Sequence, residues 1–190
     1  EQFDQILLDM KIAHRDVDLA LDGADAIPSL TSYDRVILLM PSLDGLGTHL
    51  SDIMSWVSAG GSIMLAMPPD NSGYLQVIAP KLGIESAGYD YVKAESIVPS
   101  EDFMLGGGER YELSDPFDSS LSVSLRETAR VWAKTGDAGA PLIWSNDCGS
   151  GRTVVCNIGI YDKVMRGFYA AAISLLGDAT AYPVINSAVF

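Results

Sequence analysis

The sequence predicts an α/β domain built on a parallel sheet with helices on both of its faces. Two unbroken apolar runs, Val36–Met40 and Ile63–Met67, are typical of strands buried on both sides, and such strands belong to parallel sheets. Between them the sequence predicts a helix that Thr48 can cap and that ends at Gly60 and Gly61. Its apolar stripe comprises Leu50, Ile53, Met54 and Val57. A strand, a helix and a strand with short links predict a right-handed βαβ crossover.

Regular elements are also predicted on both sides of this unit. Before it, apolar residues three and four positions apart predict a helix over residues 3–10, and the alternation in Ile12–Leu19 predicts a short strand. After it, helices are predicted at Ser72–Leu82, with Gly83 at the end, and at about Lys163–Leu176. The α/β pattern therefore reaches most of the chain.

The middle of the chain, about residues 89–135, has a different pattern. Short alternating segments are separated by glycine, proline and aspartate, which is typical of antiparallel strands and loops. We predict that they form a β-rich insertion in the α/β core or an extension at the edge of its sheet. The segments are Tyr91–Val98, Phe103–Leu105, Leu121–Leu125 and Ala129–Ala133.

A β-hairpin is predicted after this region, and it separates the two cysteines. Leu142–Trp144 and Thr153–Cys156 are its strands, and Gly149–Arg152 supplies residues that tolerate the turn. Cys148 lies near the turn and Cys156 several residues away from it, so their Cα atoms are about 10 Å or more apart, beyond the roughly 7 Å limit for a disulfide. We expect two free, buried thiols.

Length and charge limit the classes of protein to which the chain can belong. Its 190 residues predict a single α/β domain over 1–190, and no run reaches the roughly 18 apolar residues of a membrane span. With 25 acidic and 12 basic residues the net charge is −13, which disfavours nucleic acid and anionic membranes as partners. We therefore predict no nucleic-acid partner and no membrane insertion of this domain. The apolar end, Tyr182–Phe190, leads us to expect a fragment of a longer protein, with a strand missing before Glu1.

Neither nucleophilic catalysis nor metal binding is predicted. The sharp turn after the second buried strand, at Met67–Asn71, has no Ser or Cys in the position of a nucleophile. Spacings such as HxxH, HxH and CxxC do not occur, and Asp16 and Asp18 are expected on the solvated face of an edge strand. We therefore predict no catalytic residue, no metal and no cofactor.

The best candidate for a binding pocket is the carboxyl edge of the predicted sheet. Asp44 follows the first buried strand, His49 begins the next helix, and Asp70 and Asn71 follow the second strand. Open α/β sheets bind ligands at this edge. The same residues also serve as turn residues and helix caps, which is the more common role of such positions.

The block Tyr33–Gly73 resembles the class I glutamine amidotransferase-like superfamily in its buried strand, its helix ending in Val57–Gly61 and the strand that follows. This resemblance implies a flavodoxin-like parallel sheet with helices on both faces. Active members have a cysteine at the turn where this chain has Met67, Pro68 and Pro69, so the nucleophile does not carry over. The trimerisation domain of some β-galactosidases shares that departure.

The second half of the chain resembles an uncharacterised bacterial family. The similar segments are Pro141–Trp144, Gly149–Val155, Asp162–Gly167 and Tyr182–Asn186. In that family an amidotransferase-like domain precedes a polysaccharide-deacetylase-like barrel. The resemblance implies a carbohydrate-related role, a carbohydrate-active downstream domain in the same chain as partner, carbohydrate as a ligand and an extracytoplasmic or cell-envelope location.

Three functions remain open at this point. The resemblance favours a non-catalytic accessory domain of a larger carbohydrate-active protein. A hydrolase of unfamiliar mechanism would use Asp44, His49 and Asp70 for general acid–base chemistry at the sheet edge. An oligomerisation module would need none of these side chains.

Overall fold

A computed structural model describes residues 2–40, 42–66, 71–158 and 165–177 of the chain. Within these ranges seven strands form one mixed sheet in the order β1-β2-β7-β6-β5-β3-β4. The strands are β1 (Arg35–Leu38), β2 (Ser62–Leu65), β3 (Ile84–Pro99), β4 (Tyr111–Leu125), β5 (Arg130–Thr135), β6 (Pro141–Cys148) and β7 (Gly151–Cys156). The helices are α1 (Gln2–Asp9), α2 (Leu19–Asp22), α3 (His49–Ser58), α4 (Gly73–Ile78) and α5 (Met165–Ser174).

The two apolar runs lie side by side and point in the same direction, as the sequence predicts. Val36 of β1 is opposite Ile63 of β2, and β2 in turn pairs in parallel with β7. The remaining pairings, β7–β6, β6–β5, β5–β3 and β3–β4, are antiparallel. The sheet is therefore mixed and mostly antiparallel, and a wholly parallel, flavodoxin-like sheet is not confirmed.

Helices cover both faces of the sheet because successive strand residues point to opposite sides. Met64 and Val154 pack in the apolar cluster that contains α1 and α5. Their neighbours Ile63 and Val155 pack in the other cluster, with α3 and α4. β2 is buried on both faces and β1, at the edge of the sheet, is partly buried on both, which explains why these two strands are apolar runs in the sequence.

The long hairpin of β3 and β4 crosses from one face of the domain to the other. Ile84 and Leu121 pack in the cluster of α3 and α4, whereas Ala94 and Leu113 pack in the cluster of α1 and α5. The register between the two strands shifts at four places, and such shifts bend a strand pair. The β-rich region predicted at 89–135 is thus an extension at the sheet edge.

One predicted strand in this region, Phe103–Leu105, is wrong, because these residues lie in the turns that connect β3 and β4. Phe103 is fully buried against Trp132, with ring centroids 5.9 Å apart, so its apolar character reflects an anchored loop. A Cβ at Gly107 would lie 2.6 Å from the Cα of Glu101. The glycines at 106–108 therefore allow a tight turn.

The strand predicted at Ile12–Leu19 is also wrong. Residues 12–18 have no regular structure, and Leu19 begins α2. The side chain of Asp18 accepts hydrogen bonds from the backbone N–H groups of Ala20 and Leu21, so it caps that helix. A local cap therefore prevails over the alternating pattern, and Asp16 and Asp18 are not on a strand face.

The predicted helices are present with shorter bounds where described. In α3, Thr48 is at the N-cap position, but its side chain makes no capping hydrogen bond. In α4, which ends at Ile78 just before Ala79 and Pro80, Ser72 does cap and accepts a bond from the N–H of Leu75. The start predicted for the last helix, Lys163, is outside the described residues.

The predicted hairpin is formed by β6 and β7, with Gly149 and Ser150 as its turn. Gly149 has a φ of +65°, which a tight two-residue turn requires. Cys148 is opposite Gly151 and Cys156 is opposite Ile143, so the two buried cysteines are free, as predicted. Burial raises the pKa of the Cys156 thiol far above its ordinary range, so this sulfur is a poor nucleophile.

Candidate functional site

The structure places Asp44 in the loop after β1. This loop forms a 3₁₀ turn at Asp44–Leu46, and it is held by the fully buried side chains of Leu43 and Leu46. Gly47, with a φ of +51°, allows the chain to enter α3. Asp44 itself is exposed. The two buried leucines therefore hold the loop in place, and the carboxylate of Asp44 lies in solvent.

His49 begins α3 and faces the preceding segment of the chain. Its Nε2 atom lies 3.4 Å from Oδ1 of Asp25, which is fully exposed. A pair this exposed contributes little to stability, because water solvates both groups. The pair therefore orients the imidazole more than it stabilises the fold.

The side-chain amide of Asn71 makes hydrogen bonds within the fold. Its Nδ2 atom donates to the carbonyl oxygens of Ala87 and Gly88, at 3.3 and 3.2 Å, and its Oδ1 accepts from the side chain of Gln76. The amide thus links the start of α4 to β3. Asp70 and the turn Met67–Pro69 lie outside the described residues, so the shared pocket of the four side chains stays a prediction.

A cavity of about 340 Å³ lies between α3 and the segment that precedes β1. Of the predicted site residues, His49 lines it, together with Asp52 and the half-buried indole of Trp56. A Cβ at Gly61 would overlap this indole, so the ring lies directly on the glycine backbone. The remaining wall is the segment Ile27–Thr31. We refer to this space as the Trp56 cavity.

The Trp56 cavity has the composition of a small-molecule site. Ile27, Ile53 and Trp56 give it apolar surface, while His49 and Asp52 give it groups that bond polar atoms. Ligand pockets are commonly built in this way, from mostly apolar walls with a few polar groups. His49 was predicted from the sequence and Trp56 was not, because a tryptophan in an amphipathic helix is usually part of the core.

A second cavity, of about 560 Å³, is at the amino ends of the parallel strands. Asp34 and Arg35 before and in β1, and Asp147 and Arg152 in the β6–β7 hairpin, supply its charges. Arg152 donates to Asp147 at 3.3 Å and to the carbonyl oxygen of Leu175 at 3.1 Å. The polar lining thus joins the hairpin to the end of α5.

At the carboxyl end of β7 the hairpin β3–β4 is held by one buried side chain. Asn157 accepts from the N–H of Leu121 at 2.9 Å and donates to its carbonyl oxygen at 2.6 Å. These two bonds resemble the backbone bonds between paired strands. The side chain that makes them is buried, with Asn157 about 1% exposed. Asn157 was not predicted from the sequence, although a single amide directly after a buried apolar strand is a signal for such a contact.

Comparison with a bacterial protein family covers the whole chain. Residues 1–128 and 113–190 match the family described as an uncharacterised protein conserved in bacteria, DUF2194. The chain belongs to this family. No curated protein sequence matches it. None of the described helices has the length and apolar character needed to cross a bilayer.

Solved structures share this fold at low sequence identity. A β-galactosidase from Rahnella sp. R3 matches with a TM-score of 0.65 and 23% identity, over 96% of this chain and 28% of its own. An exo-β-1,4-mannosidase from Opitutaceae bacterium strain TAV5 matches with a TM-score of 0.57 and 22% identity, over 88% and 26%. The chain thus spans about a quarter of these glycosidases.

The fold also matches a shorter protein almost end to end. The cytoplasmic protein STM1381 from Salmonella typhimurium LT2 has a TM-score of 0.64 and 14% identity, over 93% of this chain and 85% of its own. The predicted membership of an uncharacterised bacterial family is confirmed. The amidotransferase-like kinship and the link to a deacetylase barrel stay predictions.

Proposed function

We propose that this chain is a non-catalytic accessory domain of a larger carbohydrate-active bacterial protein, and that it holds carbohydrate for a catalytic domain of the same protein. Two glycosidases have this fold in about a quarter of their chains, which supports a role beside a catalytic domain. An extracytoplasmic or envelope location would suit such a protein.

The observation that carries the proposal is that polar side chains at the carboxyl edge of the sheet make structural contacts. Enzymes with open α/β sheets place reactive groups at this edge. Here the amides of Asn157 and Asn71 hold the β3–β4 hairpin, and the buried thiol of Cys156 has a raised pKa. These three side chains therefore support the fold, which favours a binding role over a catalytic one.

The Trp56 cavity is the place where we expect carbohydrate to bind. The negative face of an indole attracts the weakly positive C–H groups of a sugar ring. His49 and Asp52 lie beside it and can bond sugar hydroxyls. Both kinds of contact are needed to recognise a sugar, which is apolar on its ring faces and polar at its edge.

The test compares the protein as its gene encodes it with two variants, on a panel of β-linked oligosaccharides. Asp44→Ala is expected to leave the kcat of the whole protein unchanged, because the Asp44 carboxylate is exposed and does not line the Trp56 cavity. Trp56→Ala is expected to raise the Kd for the oligosaccharide about tenfold, which corresponds to about 1.4 kcal/mol. Val77→Ala, at an exposed position of α4 outside the cavity, is the matched control.

A fall of kcat by a factor of 100 or more in Asp44→Ala or His49→Ala, with unchanged folding, would overturn the proposal in favour of an enzyme. Equal Kd values for Trp56→Ala and Val77→Ala would remove the Trp56 cavity as the carbohydrate site.

A further inference from the structure

A second group of polar side chains lies on the other side of the sheet, beside α1. The ligand atoms of Asp4, His14 and Asp16, one from each residue, are all within 4.8 Å of one another. Asp4 is in α1, and the other two belong to residues 12–18, which have no regular structure. We refer to these three residues as the His14 cluster.

The backbone brings the cluster together in a defined way. Lys11 has a φ of +57°, and the N–H of Ile12 donates to the carbonyl oxygen of Leu7 at 2.9 Å, so the chain turns back directly after α1. The helix itself is held on α5, where the rings of Phe3 and Tyr169 are 4.8 Å apart. Asp4 is therefore on a supported element, and the returning chain passes beside it.

A hydrogen bond outside the cluster sets the orientation of the imidazole. Nδ1 of His14 lies 3.1 Å from the carbonyl oxygen of Ile12, which can only accept, so Nδ1 carries the proton. In a neutral imidazole the lone pair is then on Nε2, which lies 4.0 Å from Oδ1 of Asp16. Metal-binding histidines are commonly held in this manner, with the other ring N–H donated to a carbonyl or carboxylate oxygen.

The lone pair on Nε2 and the carboxylate oxygens of Asp4 and Asp16 converge, and one cation can accept all three as ligands. Ligand atoms about 2.1 Å from one ion are about 3–4 Å apart, and the three atoms of the cluster, which lie within 4.8 Å of one another, reach that spacing by small side-chain movements. One nitrogen and two carboxylates suit Zn²⁺ and its first-row neighbours, whereas Ca²⁺ and Mg²⁺ prefer oxygen alone. We propose that Asp4, His14 and Asp16 bind one divalent transition-metal ion, which ties residues 12–18 to α1.

The experiment is calorimetric titration of the chain with ZnCl₂ at pH 7.5. We expect one ion per chain with a micromolar Kd, and at least a tenfold weaker Kd in His14→Ala and in Asp16→Asn. The matched control is His49→Ala, because His49 pairs with the single carboxylate of Asp25. This variant is expected to bind Zn²⁺ as the unchanged chain does, and CaCl₂ is expected to give no heat.

A second experiment measures the rate of tryptic cleavage in the loop of residues 12–18. Zn²⁺ is expected to slow tryptic cleavage after Arg15, which is exposed between the two ligands of the loop, and not to slow it in His14→Ala. Absence of Zn²⁺ binding up to 1 mM, or an equal Kd in the unchanged chain and His14→Ala, would overturn the proposal. Neither result bears on the Trp56 cavity, so this inference and the proposed function fail independently.

Discussion

The two ends of the sheet bury their apolar residues in different ways. At one end β1 and β2 have four residues each and pair in parallel without interruption. At the other end β3 and β4 have 16 and 15 residues, and their register shifts at four places. We refer to the first as the parallel end and to the second as the hairpin end.

Longer strands at one end of the sheet take the place of the helices that cover both faces at the other end. Strands of the parallel end are short, but helices cover both of their faces, so every residue of β1 and β2 except Arg35 is at least partly buried. The hairpin end has no such double cover. Its strands are long and irregular, and they bend so that one half packs on each apolar cluster. Stability at that end should therefore depend on a few anchoring contacts, which substitutions can test.

The largest effect is expected for Phe168→Ala. Phe168 of α5 is fully buried and contacts Tyr111, at the start of β4, edge-on with ring centroids 5.5 Å apart. Its removal leaves a cavity where the hairpin end docks and should lower the free energy of unfolding by about 3–5 kcal/mol. Urea denaturation measures the loss. Leu8→Ala, at an exposed position of α1, should change it by less than about 0.5 kcal/mol.

A smaller effect is expected for Asn157→Ala. The substitution leaves the buried N–H and carbonyl groups of Leu121 without partners, which should cost about 2–4 kcal/mol. Asn71→Ala removes the same kind of bond at a half-buried site and should cost about 1 kcal/mol. Hydrogen exchange should show faster opening of β4 in the first variant. Equal losses in both variants would contradict the special role of Asn157.

Effects smaller than that of Asn157→Ala, and of opposite sign, are expected for substitutions of two glycines. A Cβ at Gly151 would overlap the carbonyl oxygens of Val57 and Gly61, so Gly151→Ala should destabilise the parallel end by about 1–3 kcal/mol. Gly73, at the start of α4, has nothing near its Cβ position, and Gly73→Ala should stabilise by about 0.5–1 kcal/mol. Thermal melting of both variants checks the two signs. A stabilising Gly151→Ala would show that α3 and β7 are packed less closely than described.

Sequence periodicity predicted the parallel end better than the hairpin end. Val36 and Ile63 belong to strands that pack against helices on both faces, which accounts for the apolar character of both runs. In the hairpin end the same inference failed at Phe103, whose burial comes from a loop packed on Trp132. It failed again at Ile12–Leu19, where the cap made by Asp18 decides the local structure. Apolar character reports burial, and it does not report which backbone conformation achieves it.

The candidate sites were less predictable than the fold. His49 was predicted because it begins the helix that follows a buried strand, but the wall formed by Trp56 depends on how the indole lies on Gly61. The His14 cluster joins residues ten and twelve positions apart, through a turn at Lys11 with positive φ. No spacing rule for metal ligands covers this arrangement, because the turn, not a helix or a strand, sets the distance between the side chains.

The sequence by itself determined that this chain has an α/β core, because strands and helices buried on defined faces impose periodicities of their own on the order of apolar residues. It also determined the free cysteines, since the turn at Gly149 fixes their separation along the hairpin. Only the tertiary structure decided that most of the sheet is antiparallel, where the hairpin crosses, and which polar side chains meet. Those outcomes depend on contacts such as Asn157 with Leu121, which are distant in sequence and leave no periodic pattern.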